Sequence, residues 1–266
     1  MRWSLILYLP AVVAMAWAFI IAMTKRHLTR AQVLLCLTLV VDAFAITVVG
    51  VYFRGRAGGL FLYDYLIEVS SSFCTPLFYI SICSLTEPRG ATLRQRRVFL
   101  IPLLFTVGLT IAAFGMHPSR YQEMCVQVFE SGRIPWQPGD FSYNFMIFWN
   151  QIVYPVSMIV TGTVLLILSG RKAYHYKQRF NAFYAQGLNL PNLSIREIIV
   201  VASLFLPFGL LTIYFIAFRP LYYKYGLIAC AVMLTVFVYL TGRFAYRYSY
   251  DARFLADYTR QKIENA

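Results

Sequence analysis

The chain has 266 residues, of which 59% are hydrophobic and 13% charged, with a formal net charge of +13. Soluble domains carry roughly 25% charged residues, so an ordinary soluble domain is excluded and most of the chain must meet lipid or other apolar helices. The basic excess lies in short stretches between apolar runs, where headgroups and topology account for it, and no direct nucleic acid binding is expected.

A helix needs about 20 apolar residues to cross about 30 Å of hydrocarbon, whereas barrel strands alternate over about 10. Seven runs of the helical kind follow one another, at about 4–23, 31–53, 62–85, 98–116, 142–169, 196–218 and 225–241. The first, SLILYLPAVVAMAWAFIIAM, is read as a retained span because its positive cluster, TKRHLTR, follows it. A cleavable signal has a shorter apolar core with its charge in front. Pro76, Pro102, Pro155 and Pro207 fall inside spans, where kinks and freed carbonyls are expected.

Between spans four and five, SRYQEMCVQVFESG predicts a short amphipathic helix with Tyr121, Met124, Cys125, Val128 and Phe129 on one face. A hairpin fits nearly as well, and RIPWQPGD after it reads as irregular. RKAYHYKQRFNAFYAQG and the tail mix basic and aromatic residues, as headgroup-level helix extensions do. Ser194 to Glu197, SIRE, has capping-box spacing and marks the start of span six.

With the N-terminus outside, 17 of the 24 Lys and Arg residues fall on the cytoplasmic side. The positive-inside rule then gives N-out and C-in. The expected fold class is an all-α integral membrane protein: a seven-transmembrane helix bundle over 1–241 and a cytoplasmic juxtamembrane helix or tail over 242–266. It is expected to be multi-pass in the cell membrane, the inner membrane in a bacterium.

Polar residues inside the spans are the candidates for function. On a helical wheel Asp64, Glu68, Ser71, Ser72, Thr75 and Tyr79 share one face of span three. Asn150, Tyr154, Ser157 and Thr161 form a second stripe on span five, with Trp149 and Gln151 beside it. Asp42 lies midway along span two, where a carboxylate costs about 2.5–3.5 kcal/mol on insertion scales and must face the interior. One account is packing, since small and hydroxylated residues let helices approach and hydrogen-bond. The other is an outward-opening polar cavity between spans two, three and five. In it Glu68, Ser72, Thr75, Asn150, Gln151 and Tyr154 bind a small molecule or ion, and Asp42 is a buried switch or cation site. Glu68 and Asn150 at matching depth are what packing explains worst.

No catalytic, metal or cofactor chemistry is expected. All three histidines, His27, His117 and His175, lie in loops, there is no H-E-x-x-H, and span seven has no lysine for a retinal Schiff base. Cys36, Cys74, Cys83 and Cys230 fall within spans and Cys125 outside them. No disulfide is indicated, and a Cys74–Cys125 pair is left open.

The N-out plan, with Asp42 in LTLVVDAF, resembles the topology of G-protein-coupled receptors. Their motifs are missing: span three ends SLTEPRG in place of an acidic-Arg-aromatic triplet, and span seven ends VFVYLTGRF without Asn-Pro-x-x-Tyr. YKQRFNAFY before span six and RFAYRYSYDARFLADYTRQKIENA after span seven carry a second resemblance. They resemble the seven-span sensor segment of bacterial membrane-tethered regulators, which precedes a kinase or helix-turn-helix domain. The resemblance implies a solitary or truncated input module, since the chain stops at Ala266 with no output domain. It also implies a cytoplasmic signalling partner met through 171–186 and 243–266. The function expected is therefore a receptor-like sensor in the lipid bilayer. A small-solute or ion-coupled transporter is the second reading and a structural subunit of a membrane complex the third.

Overall fold

A computed structural model describes residues 2–24, 28–52, 60–87, 90–131, 139–184 and 223–247. The described elements are helical throughout, because runs this apolar leave the backbone only itself to hydrogen-bond with. A 3-10 turn, Arg2–Tyr8, leads into α1, Leu9–Thr24, followed by α2, Arg30–Tyr52, and α3, Leu60–Thr86. The short α4, Leu93–Arg96, passes through a 3-10 turn, Arg97–Phe99, into α5, Leu100–Phe114. Then come α6, Pro118–Ser131, α7, Phe141–Phe148, a π turn, Trp149–Val153, α8, Tyr154–Tyr184, and α9, Tyr223–Arg247.

Five of these stretches are long and apolar enough to cross a membrane: Leu5–Thr24, Arg30–Tyr52, Phe61–Thr86, Leu93–Ala113 and Tyr154–Tyr176. A shorter apolar stretch, Ala231–Tyr246, lies in α9. They are consistent with a polytopic membrane protein. Their outward faces suit lipid, with Val12, Met15 and Phe19 exposed on α1 and Val156, Val160 and Val164 on α8. Span six and the Ser194–Glu197 cap lie outside the described residues, as does the tail beyond Arg247.

Packing begins with α2, which lies along α3 and touches α1 and α9. The α1–α9 approach is close because Gly242 lies under the Trp17 ring: a Cβ there would come within 2.1 Å of Trp17 Cγ. Tyr239 and Tyr246 of α9 flank the same indole, with centroids at 5.6 and 6.1 Å. A capping box starts α2, with Thr29 N donating to Gln32 Oε1 and Gln32 N to Thr29 Oγ1. Gln32 Nε2 then donates to Ala245 O, which ties α2 to the last turn of α9. At that end of the bundle Glu87, just past α3, accepts from Lys172 of α8 and from Gln95 Nε2 of α4.

Proline explains two of the irregularities. Pro102 has no N–H for the carbonyl of Val98, and the chain reaches α5 through a 3-10 turn at that point. Pro155 would collide with the carbonyl of Gln151, and the helix widens just before it. Tyr154 N bonds back five residues to Trp149 O. The expected span five, 142–169, is thus a short helix, a π turn and a long helix. That long helix runs unbroken to Tyr184, as the basic-aromatic pattern predicts.

The predicted amphipathic segment is a helix, not a hairpin. α6 turns Tyr121, Met124 and Cys125 inward, all nearly inaccessible. It docks on α3 and α5, with Gln122 Oε1 accepting from Phe61 N and Gln127 Oε1 from Tyr143 Oη. Arg120 pairs with Asp140, whose other oxygen caps α7 by accepting from Tyr143 N. RIPWQPGD therefore ends in an N-cap, which the sequence reading missed.

Candidate functional site

The polar face of α3 meets the π turn beneath α6. The serine run is mostly occupied with its own helix: Ser70 Oγ donates to Leu66 O, and Ser72 Oγ to Val69 O. Such back-bonding hides hydroxyls from their surroundings. Ser71 alone of the three reaches across, sharing a 2.8 Å hydrogen bond with Tyr154 Oη. Thr75 is buried one turn beyond Ser71 on the same face of α3, and the Gln151 side chain lies outside the described residues.

Asp64 is the hub that the expected site omitted. Its Oδ2 accepts from Tyr121 Oη of α6 at 3.2 Å and from Asn150 Nδ2 of the π turn at 3.1 Å. One carboxyl thus joins α3, α6 and the start of the α8 segment. Burial pushes the Tyr121 phenol well above its ordinary value, and the Asp64 and Glu68 carboxyls add to it. Tyr121 is therefore a hydrogen-bond donor at any physiological pH. Tyr121→Phe is expected to cost about 1–2 kcal/mol of unfolding free energy and to speed amide exchange in α6. Unchanged stability and unchanged α6 exchange would remove Tyr121 from the network.

One turn further along α3, Glu68 is only 3% exposed. Among the described residues no cation stands against it. The Trp149 indole lies beside its carboxyl, yet neither Trp149 Nε1 nor Glu68 Oε2 completes a hydrogen bond. Asn150 Oδ1, on the amide whose nitrogen is committed to Asp64, is also buried without a donor. Two acceptors and one donor around Glu68 are thus left unmatched among the described residues. Buried polar atoms are seldom left so, since each costs about 1–3 kcal/mol.

Aromatic rings wall this spot. Phe105 of α5 lies 5.0 Å from Trp149 and 5.8 Å from Tyr154, centroid to centroid. Gly108, one turn on from Phe105, makes room for the indole: a Cβ there would stand 2.7 Å from Trp149 Cη2. The ring cannot bend away as a flexible chain would, so Gly108 fixes where Trp149 can lie.

Asp42 is buried on α2, where it meets the Cys74 thiol of α3. Cys74 Sγ also donates to Ser70 O, so the Asp42 contact and the Glu68 turn share one stretch of helix, about 9 Å long at 1.5 Å per residue. Cys74 and Cys125 are not bridged. Among the described residues no three His, Cys, Asp or Glu side chains gather as metal ligands would.

The chain matches no protein-family model, no curated protein and no solved structure.

Of the expected site, the structure brings together Glu68, Asn150 and Tyr154. It adds Asp64, Tyr121 and Trp149. Asp64 was visible on the α3 stripe, and Trp149 beside the second one. Tyr121 was read only as part of an apolar face, and nothing in the sequence spacing separates its ring from its hydroxyl.

Proposed function

We propose that the chain is a receptor-like sensor, a seven-crossing N-out bundle whose outer half holds a small ligand at Glu68, Asn150, Trp149 and Tyr154. The observation that carries this is the buried Glu68 carboxyl, whose Oε2 meets no donor among the described residues and is edged by unmatched groups from another helix. A packing face would have paired them. The route inward is α3 itself, from Glu68 past Cys74 to Glu87, where Lys172 and Gln95 are held. A cytoplasmic partner would then meet residues 171–186 and 243–266.

Hydrogen exchange on the full chain in nanodiscs tests the relay. Glu68→Gln is expected to change exchange at least threefold over 85–96 and 171–184, while leaving 9–24 near its wild-type rate. Exchange confined to the neighbourhood of residue 68 would refute a sensor.

A second reading, ion-coupled transport, draws on two buried carboxyls: Glu68 on α3 and Asp42 of α2, which meets α3 at Cys74, six residues on from Glu68. Proton or sodium uptake into proteoliposomes that vanishes in both Asp42→Asn and Glu68→Gln would replace the sensor with a transporter.

A further inference from the structure

We propose that the Glu68 site takes a small ammonium compound carrying a hydrogen-bond acceptor, of the size of an amino alcohol. This deepens the ligand-sensing reading and rests on it. The unmatched atoms set the chemistry. Glu68 Oε2 and Asn150 Oδ1 both need donors, and an ammonium group offers three N–H donors together with the positive charge that Glu68 lacks. Trp149 Nε1 needs the opposite, an acceptor. A bare metal ion could coordinate both oxygens but would leave the indole N–H without an acceptor. A proton on Glu68 would turn the carboxyl into a donor for an acceptor such as Asn150 Oδ1 but leave the indole unmatched.

The walls agree. The rings of Phe105, Trp149 and Tyr154 form one cluster, and aromatic faces attract organic cations more than hydrocarbon does. The π turn supplies the fit, because its widened turn presents the side chains of Trp149 and Asn150 together toward α3. Such turns recur at functional sites. Asp64, one turn from Glu68, is half-buried and held by Tyr121.

Ethanolamine, propylamine and ethylene glycol serve as probes, with thermal unfolding of the full chain in nanodiscs as the readout. Ethanolamine is expected to raise the midpoint saturably, with half-saturation at least tenfold lower than for propylamine, which lacks the acceptor. Ethylene glycol, which lacks the ammonium, should leave it unchanged. Trp149→Phe should make the two amines equivalent, and Glu68→Gln should abolish both responses. Two variants guard against one that fails to fold. Saturable stabilisation by ethylene glycol that depends on Glu68 would overturn the ammonium class and leave the site standing. If no probe acts, while Glu68→Gln still alters exchange over 171–184, the ligand class again falls alone. If no probe acts and exchange is also unchanged, water or packing fills the site and both readings fall.

Discussion

Gly242→Leu is expected to destabilise the bundle by about 3 kcal/mol, the upper end of what overpacking usually costs. The cause is the α1–α9 contact, where the α-hydrogens of Gly242 face the Trp17 ring. Even the first side-chain carbon would overlap it, at 2.1 Å from Cγ and 2.6 Å from Cβ. Trp17 has no simple escape, because Tyr239 and Tyr246 hold the ring from the α9 side. Backbone separation is the remaining response, and it would pull α9 from Gln32, the residue that joins Ala245 O to α2. Unfolding of the purified chain in mixed micelles measures the loss. Trp17→Ala should cost stability alone but recover part of it in the Gly242→Leu background, a coupling that only neighbours show. Strict additivity of the two changes would mean that the contact is not the origin of the effect.

Glu68→Leu is expected to move stability the other way, by about 1–2 kcal/mol. Glu68 Oε2 meets no donor among the described residues, so burying it costs desolvation that an apolar residue of similar volume often restores. The gain should come with complete loss of the amine response, the pattern of a residue kept for binding at the expense of stability. The opposite sign would be as informative. If Glu68→Leu unfolds more readily than the native chain, the carboxyl is joining helices, as polar groups in membrane proteins also do. Denaturation in mixed micelles without added probe separates the two.

The sequence makes the long helices legible because lipid imposes one rule on every span: apolar, continuous and about 20 residues long. α1, α2 and α3 fall within a few residues of their expected limits, and the basic-aromatic stretch after span five continues its helix to Tyr184. The α3 stripe is equally legible, since a regular helix keeps its period of 3.6. Span five is not, because the π turn inserts a residue into that period and rotates everything before Tyr154 relative to everything after it. A wheel drawn through Asn150, Tyr154, Ser157 and Thr161 therefore joins two registers. Pro155 is the signal that could have warned of it. Asp64 and Tyr121 were lost for another reason: their hydrogen bond spans 57 positions and exists only once α6 has docked. Local pattern carries no trace of such a pairing. Gly108 is harder still, since what it contributes to the site is the absence of a methyl group under Trp149.

The joint at Glu87 has an electrical consequence. One oxygen, Oε1, receives both the Lys172 ammonium and the Gln95 amide, from two separate elements. Beside it the exposed Arg94, Arg96 and Arg171 already make this end of the molecule positive. A turn of α3 that withdraws Glu87 unmasks one more positive charge among them, without any large change of shape. In physiological salt that added potential extends about 8 Å before it is screened. Whatever docks there meets a surface whose grip on acidic groups strengthens or weakens by one unit of charge.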